Sequence, residues 1–201
     1  MRAFRRDPDA AKLPTPSGRI EIASATIAGF GYPDCPGYPA WMAPVEALIS
    51  PLAARFPLQL IANQPATRLH SQLDFGATSL ASKIADREPV RIHPDDAAAR
   101  GIADSDIVRL YNDRGACLAG AVLSDALMPG VVQLATGAWY DPEDPVAETP
   151  LCVHGNPNAV TRDAGTSRLA QGCTGQLCLI EIERFDAPVP QVKAFDPPPG
   201  A

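Results

Sequence analysis

The chain has no long apolar run: none of its 201 residues lies in the ~20-residue apolar stretch that a membrane-spanning helix needs. The N-terminus, MRAFRRDPDAAKLPTPSG, is basic but lacks an apolar core region, so it does not read as a secretory signal. Lysine is scarce, with 14 of the 17 cations being arginine, and the acids outnumber the cations 23 to 17. The net charge of −6, with arginines interspersed among acids, excludes a general affinity for nucleic acid or anionic membranes. The 5 cysteines are odd in number and none has C-x-x-C spacing, which argues against a disulfide framework and a zinc site. They read as small buried thiols in a reducing compartment, with the cytoplasm as the expected location, or the periplasm if a partner carries an export signal. No Walker loop, G-x-G-x-x-G or G-x-S-x-G is present, which removes the common nucleotide-binding and hydrolase signatures. No internal repeat is visible.

What is present is globular, with 46% hydrophobic and 20% charged residues, enough for one ordinary domain with a proper core. The first 55 residues differ from the rest. LPTPSG is a turn signal followed by the alternating RIEIAS, and GFGYPDCPGYPAWMAP is rich in Pro and Gly without periodicity. Residues 1–55 are therefore expected to form an extended connecting segment, poorly able to fold alone. Residues 56–186 are richer in strands. PLQLIA (57–62), PVRIH (89–93), GVVQLAT (130–136) and LCLIEIER (177–184) are short, apolar and partly β-branched. Arms at 106–112 and 116–124 read as a hairpin whose NDRG turn offers Asn112, Asp113 and Gly115 for positive φ. HPDDAAARGI reads as one short helix, with Pro94 in the first turn, Asp95 and Asp96 at the positive end, and Gly101 as a left-handed stop. Six short strands with one or two short helices predict a mainly β fold, a small mixed barrel. Residues 187–201 are Pro-rich and expected to be mobile.

Two polar clusters stand out. Arg68-Leu69-His70-Ser71-Gln72 follows the first strand, and HGNPNAVTRDAGTSRLAQG (154–172) carries Asn156, Asn158, Asp163, Thr166, Ser167 and Gln171. DAGTS followed by RLAQ predicts a loop leading into a short helix, with Thr166 or Ser167 as its cap and free N–H groups suited to an anion. Spacing alone leaves the alternatives open: Arg68 and His70 as a surface pair or loop hydrogen bonds, and Asn158 and Asp163 as turn residues bonding their own backbone.

FPLQLIANQPATRLHSQLD, the run from REPVRIHPDD through GAWYDP, and HGNPNAVTRDAGTSRLAQGCTGQ closely resemble the carboxy-terminal, molybdopterin-dinucleotide-binding domain of molybdopterin oxidoreductases. The likeness is greatest to the dimethyl sulfoxide, trimethylamine N-oxide and biotin sulfoxide reductase branch. TPSGRIEIASATIAGFGYPDCPGYPAW resembles the segment that precedes that domain.

The resemblance implies a double-psi β-barrel that closes over bis(molybdopterin guanine dinucleotide) with molybdenum. Arg68, Leu69, His70, Ser71 and Gln72 match a block lying against one pterin and its phosphates, where an arginine fork suits a phosphate. Asn158, Asp163, Thr166, Ser167, Gln171 and Gly172 match a block facing the other pterin, with His154 and Asn156 beside it. Asp163 is the acid expected to take the two adjacent N–H donors of a pterin ring. Asp113 and Arg114 match a structural turn. Pro157 stands where relatives often have an apolar residue such as Val.

The resemblance also implies that the metal ligand, a serine in that branch, lies upstream. No residue here is assigned as a catalytic group or metal ligand. The chain is thus expected to be a fragment, a truncated gene product or a separately made subunit, inactive alone. Its expected partners are the upstream catalytic portion of the reductase, in the same or a separate chain, and an S-oxide or N-oxide substrate of the whole enzyme. Neither nucleic acid nor a membrane is an expected partner. A non-catalytic binding or assembly module, or a decayed gene fragment, is the alternative.

Overall fold

The computed structural model describes residues 1–172 and 176–197. The chain divides into two compact units: Met1–Ala43 with Gly165–Gly172, and Pro44–Ala164 with the described part of Cys173–Ala201. Residues 165–172 fall inside the 56–186 span expected of the barrel, yet cluster with the N-terminal residues.

In the larger unit, short apolar runs, buried at alternate positions in four of them, build seven strands: β1 Leu58–Ile61, β2 Pro89–Ile92, β3 Ile107–Asn112, β4 Gly115–Leu123, β5 Val131–Leu134, β6 Leu151–Cys152 and β7 Leu177–Arg184. The sheet order is β2-β5-β1-β7-β3-β4-β6, and an additional β2–β4 pairing closes six of the strands into a ring. The β1–β5 and β2–β4 pairs are parallel, while the other contacts around the ring are antiparallel. This is the mainly β, closed double-psi barrel expected from the sequence. Inward residues meet at its centre: Leu58 and Leu60 from β1, Val90 and Ile92 from β2, Val108 and Leu110 from β3, Val132 and Leu134 from β5, and Ile180 and Ile182 from β7. Each such fully buried aliphatic side chain contributes about 1.5–3 kcal/mol relative to exposure.

Pro89 begins β2, where its missing N–H costs the ladder least. The helix α3 spans Ala77–Leu80 and α4 Pro94–Ala98, if the two short helices of the smaller unit are counted first. In α4, Pro94 sits in the first turn, His93 Nδ1 accepts from Asp95 N at 3.1 Å, and Gly101 takes φ +63°. The hairpin turn corrects one expectation. No residue of 112–115 has positive φ; instead Asn112 Oδ1 accepts from Arg114 N at 3.0 Å and closes the turn by its side chain. Gly115 is needed for space, since a Cβ there would stand 2.7 Å from the Ala159 carbonyl oxygen.

Asp113 and Arg114 are structural. Arg55 grips Asp113 with two bonds, and Arg114 grips the buried Glu46 with two more while donating to Val160 O at 2.7 Å. Cys117, Cys152 and Cys178 are buried and free. The reading of small buried thiols holds for these three, whereas Cys35 is only half-buried; Cys173 lies outside the described residues. Burial pushes the Cys178 thiol up to about 12.

The described part of the tail follows a docked course over the larger unit. Arg87 donates to Pro190 O, Lys193 N donates to Asp141 Oδ2 at 2.5 Å, and Phe195 packs among other rings.

The smaller unit contains the helices α1 Arg2–Arg6 and α2 Ala25–Gly29. Ser24 caps α2, its Oγ accepting from Ile27 N at 3.3 Å. Arg168 is held beside this part of the chain, its N–H donating to Asp34 Oδ2 at 3.0 Å and its guanidinium lying 5.5 Å from the Tyr32 ring centroid.

A candidate cofactor-binding loop on a buried charge cluster

The stretch 67–76 leaves β1 and turns sharply. His70 and Leu73 take φ of 52° and 58°, and Leu69 and Gln72 close a one-residue-pair bridge. Left-handed φ at two non-glycine residues costs on the order of 1–3 kcal/mol each, so the surroundings must hold this shape. They do so from beneath. Arg68 turns its guanidinium inward to 0% exposure. Four hydrogen bonds leave it, from Nε to His70 O at 3.1 Å, from Nη1 to Ser79 Oγ at 3.2 Å and Glu88 Oε1 at 3.3 Å, and from Nη2 to Thr136 O at 3.1 Å, and Nη2 also stands 3.1 Å from Glu88 Oε2 as an ion pair. The expectation of a phosphate-gripping Arg68 is corrected on this ground: its fork is already filled and shielded from solvent.

Three partners of this cluster were not singled out by the sequence reading. Asp74, Lys83 and Glu88 are all buried, and Lys83 Nζ bridges Asp74 at 2.9 Å and Glu88 at 3.2 Å. With Arg68 they make two cations and two carboxylates, a neutral set. Asp74 also accepts from Ser79 Oγ at 3.2 Å and Trp139 N at 2.9 Å. Burial by itself would raise the Asp74 pKa. The bonds from Lys83 and Trp139 N–H and the charges of Lys83 and Arg68 outweigh it and hold the carboxyl below its ordinary value. Loss of one partner from such a set leaves an uncompensated buried charge.

Two glycines let the neighbouring chain approach. A Cβ on Gly137, at φ +94°, would stand 2.0 Å from His70 O, and one on Gly155, at φ +92°, would stand 2.7 Å from Glu88 Cβ. Next to Gly137, Trp139 ties the loop down, its indole Nε1 donating to Ser71 O at 2.9 Å. The result is an outward face in which Leu69, His70, Ser71 and Gln72 are exposed over a fixed backbone.

His154 lies wholly inside, at 0% exposure. Its Nδ1 is 3.0 Å from Trp139 O, a carbonyl that can only accept, so Nδ1 carries the proton and Nε2 is a bare acceptor without a described partner. Burial and the nearby Lys83 ammonium push its pKa down, against the opposing Trp139 bond and the Asp74 and Glu88 carboxylates. Asn156 is nearly buried and uses Oδ1 to cap the 3-10 turn Pro157–Ala159, accepting from Asn158 N at 2.9 Å. Pro157 occupies the first position of that turn, where its fixed φ fits. His154 and Asn156 therefore support the surface rather than present a side chain to it. Asn158 and Asp163 are exposed, and no described group bonds the Asp163 carboxylate.

Beside the loop lies a cavity of about 200 Å³ whose lining includes Asn63, Gln64, Thr67, Glu88, Arg91 and Gln133. The Asn63 Oδ1 is buried without a described partner.

Thr166, Ser167, Gln171 and Gly172 belong to the smaller unit. The expected short helix after Ser167 is absent: 166–172 forms a compact turn. Thr166 Oγ1 donates to Ala170 O at 2.7 Å and accepts from Gly172 N at 3.1 Å. Ser167 Oγ accepts from Leu169 N at 3.3 Å and Ala170 N at 3.1 Å, and Gln171 Nε2 donates to Ser167 O at 3.3 Å. Hydroxyl oxygens take the N–H groups that a helix start would have left free, because Ser and Thr compete with the helix for those donors.

Comparison with known proteins bears on this arrangement. The family described as Molydopterin dinucleotide binding domain matches residues 58–179. The dimethyl sulfoxide/trimethylamine N-oxide reductase of Cereibacter sphaeroides is 48% identical over 198 residues, 98% of this chain and 24% of that protein. The trimethylamine-N-oxide reductase of Haemophilus influenzae is 48% identical over 97% of this chain and 24% of its own length. The chain thus spans about a quarter of the length of these curated relatives. Among solved structures, acetylene hydratase from Pelobacter acetylenicus superposes with a TM-score of 0.69 at 19% identity, covering 89% of this chain and 25% of that one, a likeness of fold.

Proposed function

The chain belongs to the molybdopterin dinucleotide-binding domain family, and from this premise we propose that it is the cofactor-clamping carboxy-terminal part of a molybdenum-dependent S-oxide or N-oxide reductase. The observation that carries the reading is the exposed Leu69–Gln72 face, fixed over the neutral cluster of Arg68, Asp74, Lys83 and Glu88. The residues present fit bis(molybdopterin guanine dinucleotide). A pterin ring offers adjacent N–H donors, and the exposed Asp163 carboxylate offers two acceptor oxygens that no described group occupies. His70, Ser71 and Gln72 offer a mixed donor and acceptor edge for the ring or for a phosphate.

In this reading Leu69, His70, Ser71, Gln72, Asn158 and Asp163 hold the cofactor directly. Arg68, His154 and Asn156 hold those residues in place from behind. Thr166, Ser167, Gln171 and Gly172 remain assigned to the second pterin on their sequence correspondence. When bound, the group supplies two-electron redox chemistry for removing an oxygen atom from an S-oxide or N-oxide. The chain's own part is to bind, orient and exclude water. The location in this reading is the cytoplasm, or the periplasm if a partner carries an export signal, and the buried thiols Cys117, Cys152 and Cys178 are compatible with a reducing compartment.

The test is a chimera in which these residues replace the corresponding quarter of the Cereibacter sphaeroides enzyme. Assayed with reduced viologen, the chimera is expected to reduce dimethyl sulfoxide or trimethylamine N-oxide, and the isolated chain to show no turnover. A folded chimera that binds cofactor yet reduces neither oxide, nor biotin sulfoxide, contradicts the proposed substrate class.

A further inference from the structure

Phe195, near the end of the described chain, sits at the centre of an aromatic group built on the larger unit. Its ring centroid lies 5.3 Å from Trp139, 6.4 Å from Phe75 and 5.0 Å from His154, each pair edge-on. Phe75 and Trp139 complete the group at 5.7 Å, and Lys83 Nζ stands 6.0 Å from the Phe195 centroid. Edge-on rings at these separations attract one another beyond what their burial contributes. The strap carrying Phe195 is fastened at two points upstream, by Arg87 to Pro190 O and by Lys193 N to Asp141 Oδ2.

Trp139 is the residue this group grips, and each of its polar atoms holds something else. Its N–H donates to Asp74 in the charge cluster, its carbonyl accepts from His154, and its indole N–H holds Ser71 O. The Ser71 carbonyl lies within the exposed Leu69–Gln72 stretch, next to the strained His70 backbone.

We propose that Phe195 is a positioning residue for the cofactor loop: by fixing the Trp139 ring it sets the indole N–H that holds Ser71, and so the path of Leu69–Gln72. The functional meaning of that path rests on the reading given above; the mechanical link from Phe195 to the loop does not. The C-terminal strap is then a working part of the site.

The test is residue-level amide exchange by NMR on the full chain. Two reporters lie in the linked region, Gln72 N–H bonded to Leu69 O at 3.0 Å and Trp139 N–H bonded to Asp74. Phe195→Leu keeps an apolar side chain but loses the ring edges. It is expected to speed exchange at both reporters about tenfold or more, with the β1 and β7 amides unchanged and the Trp139 indole resonance shifted. Phe195→Tyr should restore the wild-type rates. Lys193→Pro removes the strap's N–H anchor, leaves every ring in place, and should loosen the same two amides by a smaller factor. Exchange that rises equally in the barrel strands, or that does not change at Gln72 and Trp139, overturns the proposal. A selective rise in the chain, with the reductase chimera folded but devoid of cofactor, would uphold the link while rejecting the cofactor reading.

Discussion

Gly137 lies so close beneath His70 that a Cβ on it would stand 2.0 Å from the His70 carbonyl oxygen. One of the two must move if any side chain is added, and Gly137 also holds φ at +94°, which an L side chain rarely adopts.

Gly137→Ala is therefore expected to cost about 3 kcal/mol, from left-handed strain plus overpacking. In a domain of this size that lowers Tm by roughly 6–12 °C. A calorimetric scan would show it. An unchanged Tm would mean that the His70 backbone is free to shift, contrary to a loop fixed from below.

The neutral cluster sets a second expectation. Asp74→Asn leaves Arg68 and Lys83 facing only Glu88 in a buried site, at a cost of about 3–5 kcal/mol. Lys83→Met with Asp74→Leu removes one charge of each sign and should be less damaging than either single change. Urea unfolding of Lys83→Met, Asp74→Leu and their combination measures this. Additive losses would show that the pair is not coupled. Since the Asp74 pKa is lowered on folding, its contribution is present above its unfolded value of 3.8 and is lost as pH falls through the folded value.

Much of the fold was readable, and one strand at 177–184 coincides with β7 because alternating apolar and acidic residues fix both its face and its length. The hairpin was readable in its arms but not in its turn, since a side-chain bond from Asn112 replaced the positive φ that the residue types allowed. At the site, the exposed stretch Leu69–Gln72 was found by its polarity. Its foundation was not, because Arg68, Asp74, Lys83 and Glu88 follow no period and meet only through the turn at 70–73 and the helix α3. Polarity alone does not say which way a side chain points: the resemblance sets Arg68 and His154 against the cofactor, and both side chains are enclosed. The clue available was Lys83, one of the chain's 3 lysines, set in the apolar run LASKIA.

His154 gives a pH dependence. Its folded pKa lies below the ordinary 6.5, so as pH falls through 6.5 the unfolded chain takes up a proton that the folded chain refuses. Stability should then decline from pH 7 toward pH 5.5 by at most about 1.4 kcal/mol per pH unit for this group. In His154→Gln that component of the slope should vanish. An equal slope in both proteins, by urea unfolding across this range, would assign it elsewhere.

The enclosed thiols make a simpler check. Cys117, Cys152 and Cys178 are buried in the barrel. Iodoacetamide at pH 8 should leave these three unmodified in the native chain and label them in urea, as read by peptide mass spectrometry. Native labelling of Cys117 would show that the barrel opens on the timescale of the reaction.

The central claim is that an exposed face of this domain holds a molybdopterin dinucleotide, with Asp163 and Gln72 in contact and Arg68 behind them. Guanine dinucleotide and molybdenum released per chain, measured on the purified reductase chimera, test it most directly. The chimera is expected to carry cofactor, and Asp163→Ala and Gln72→Ala to lower its affinity roughly ten- to a hundredfold, as loss of a charge-assisted or buried bond would, with circular dichroism unchanged. Arg68→Ala should lower occupancy and Tm together. Full cofactor content in both the Asp163 and Gln72 variants, in a chimera that remains folded, would contradict the account.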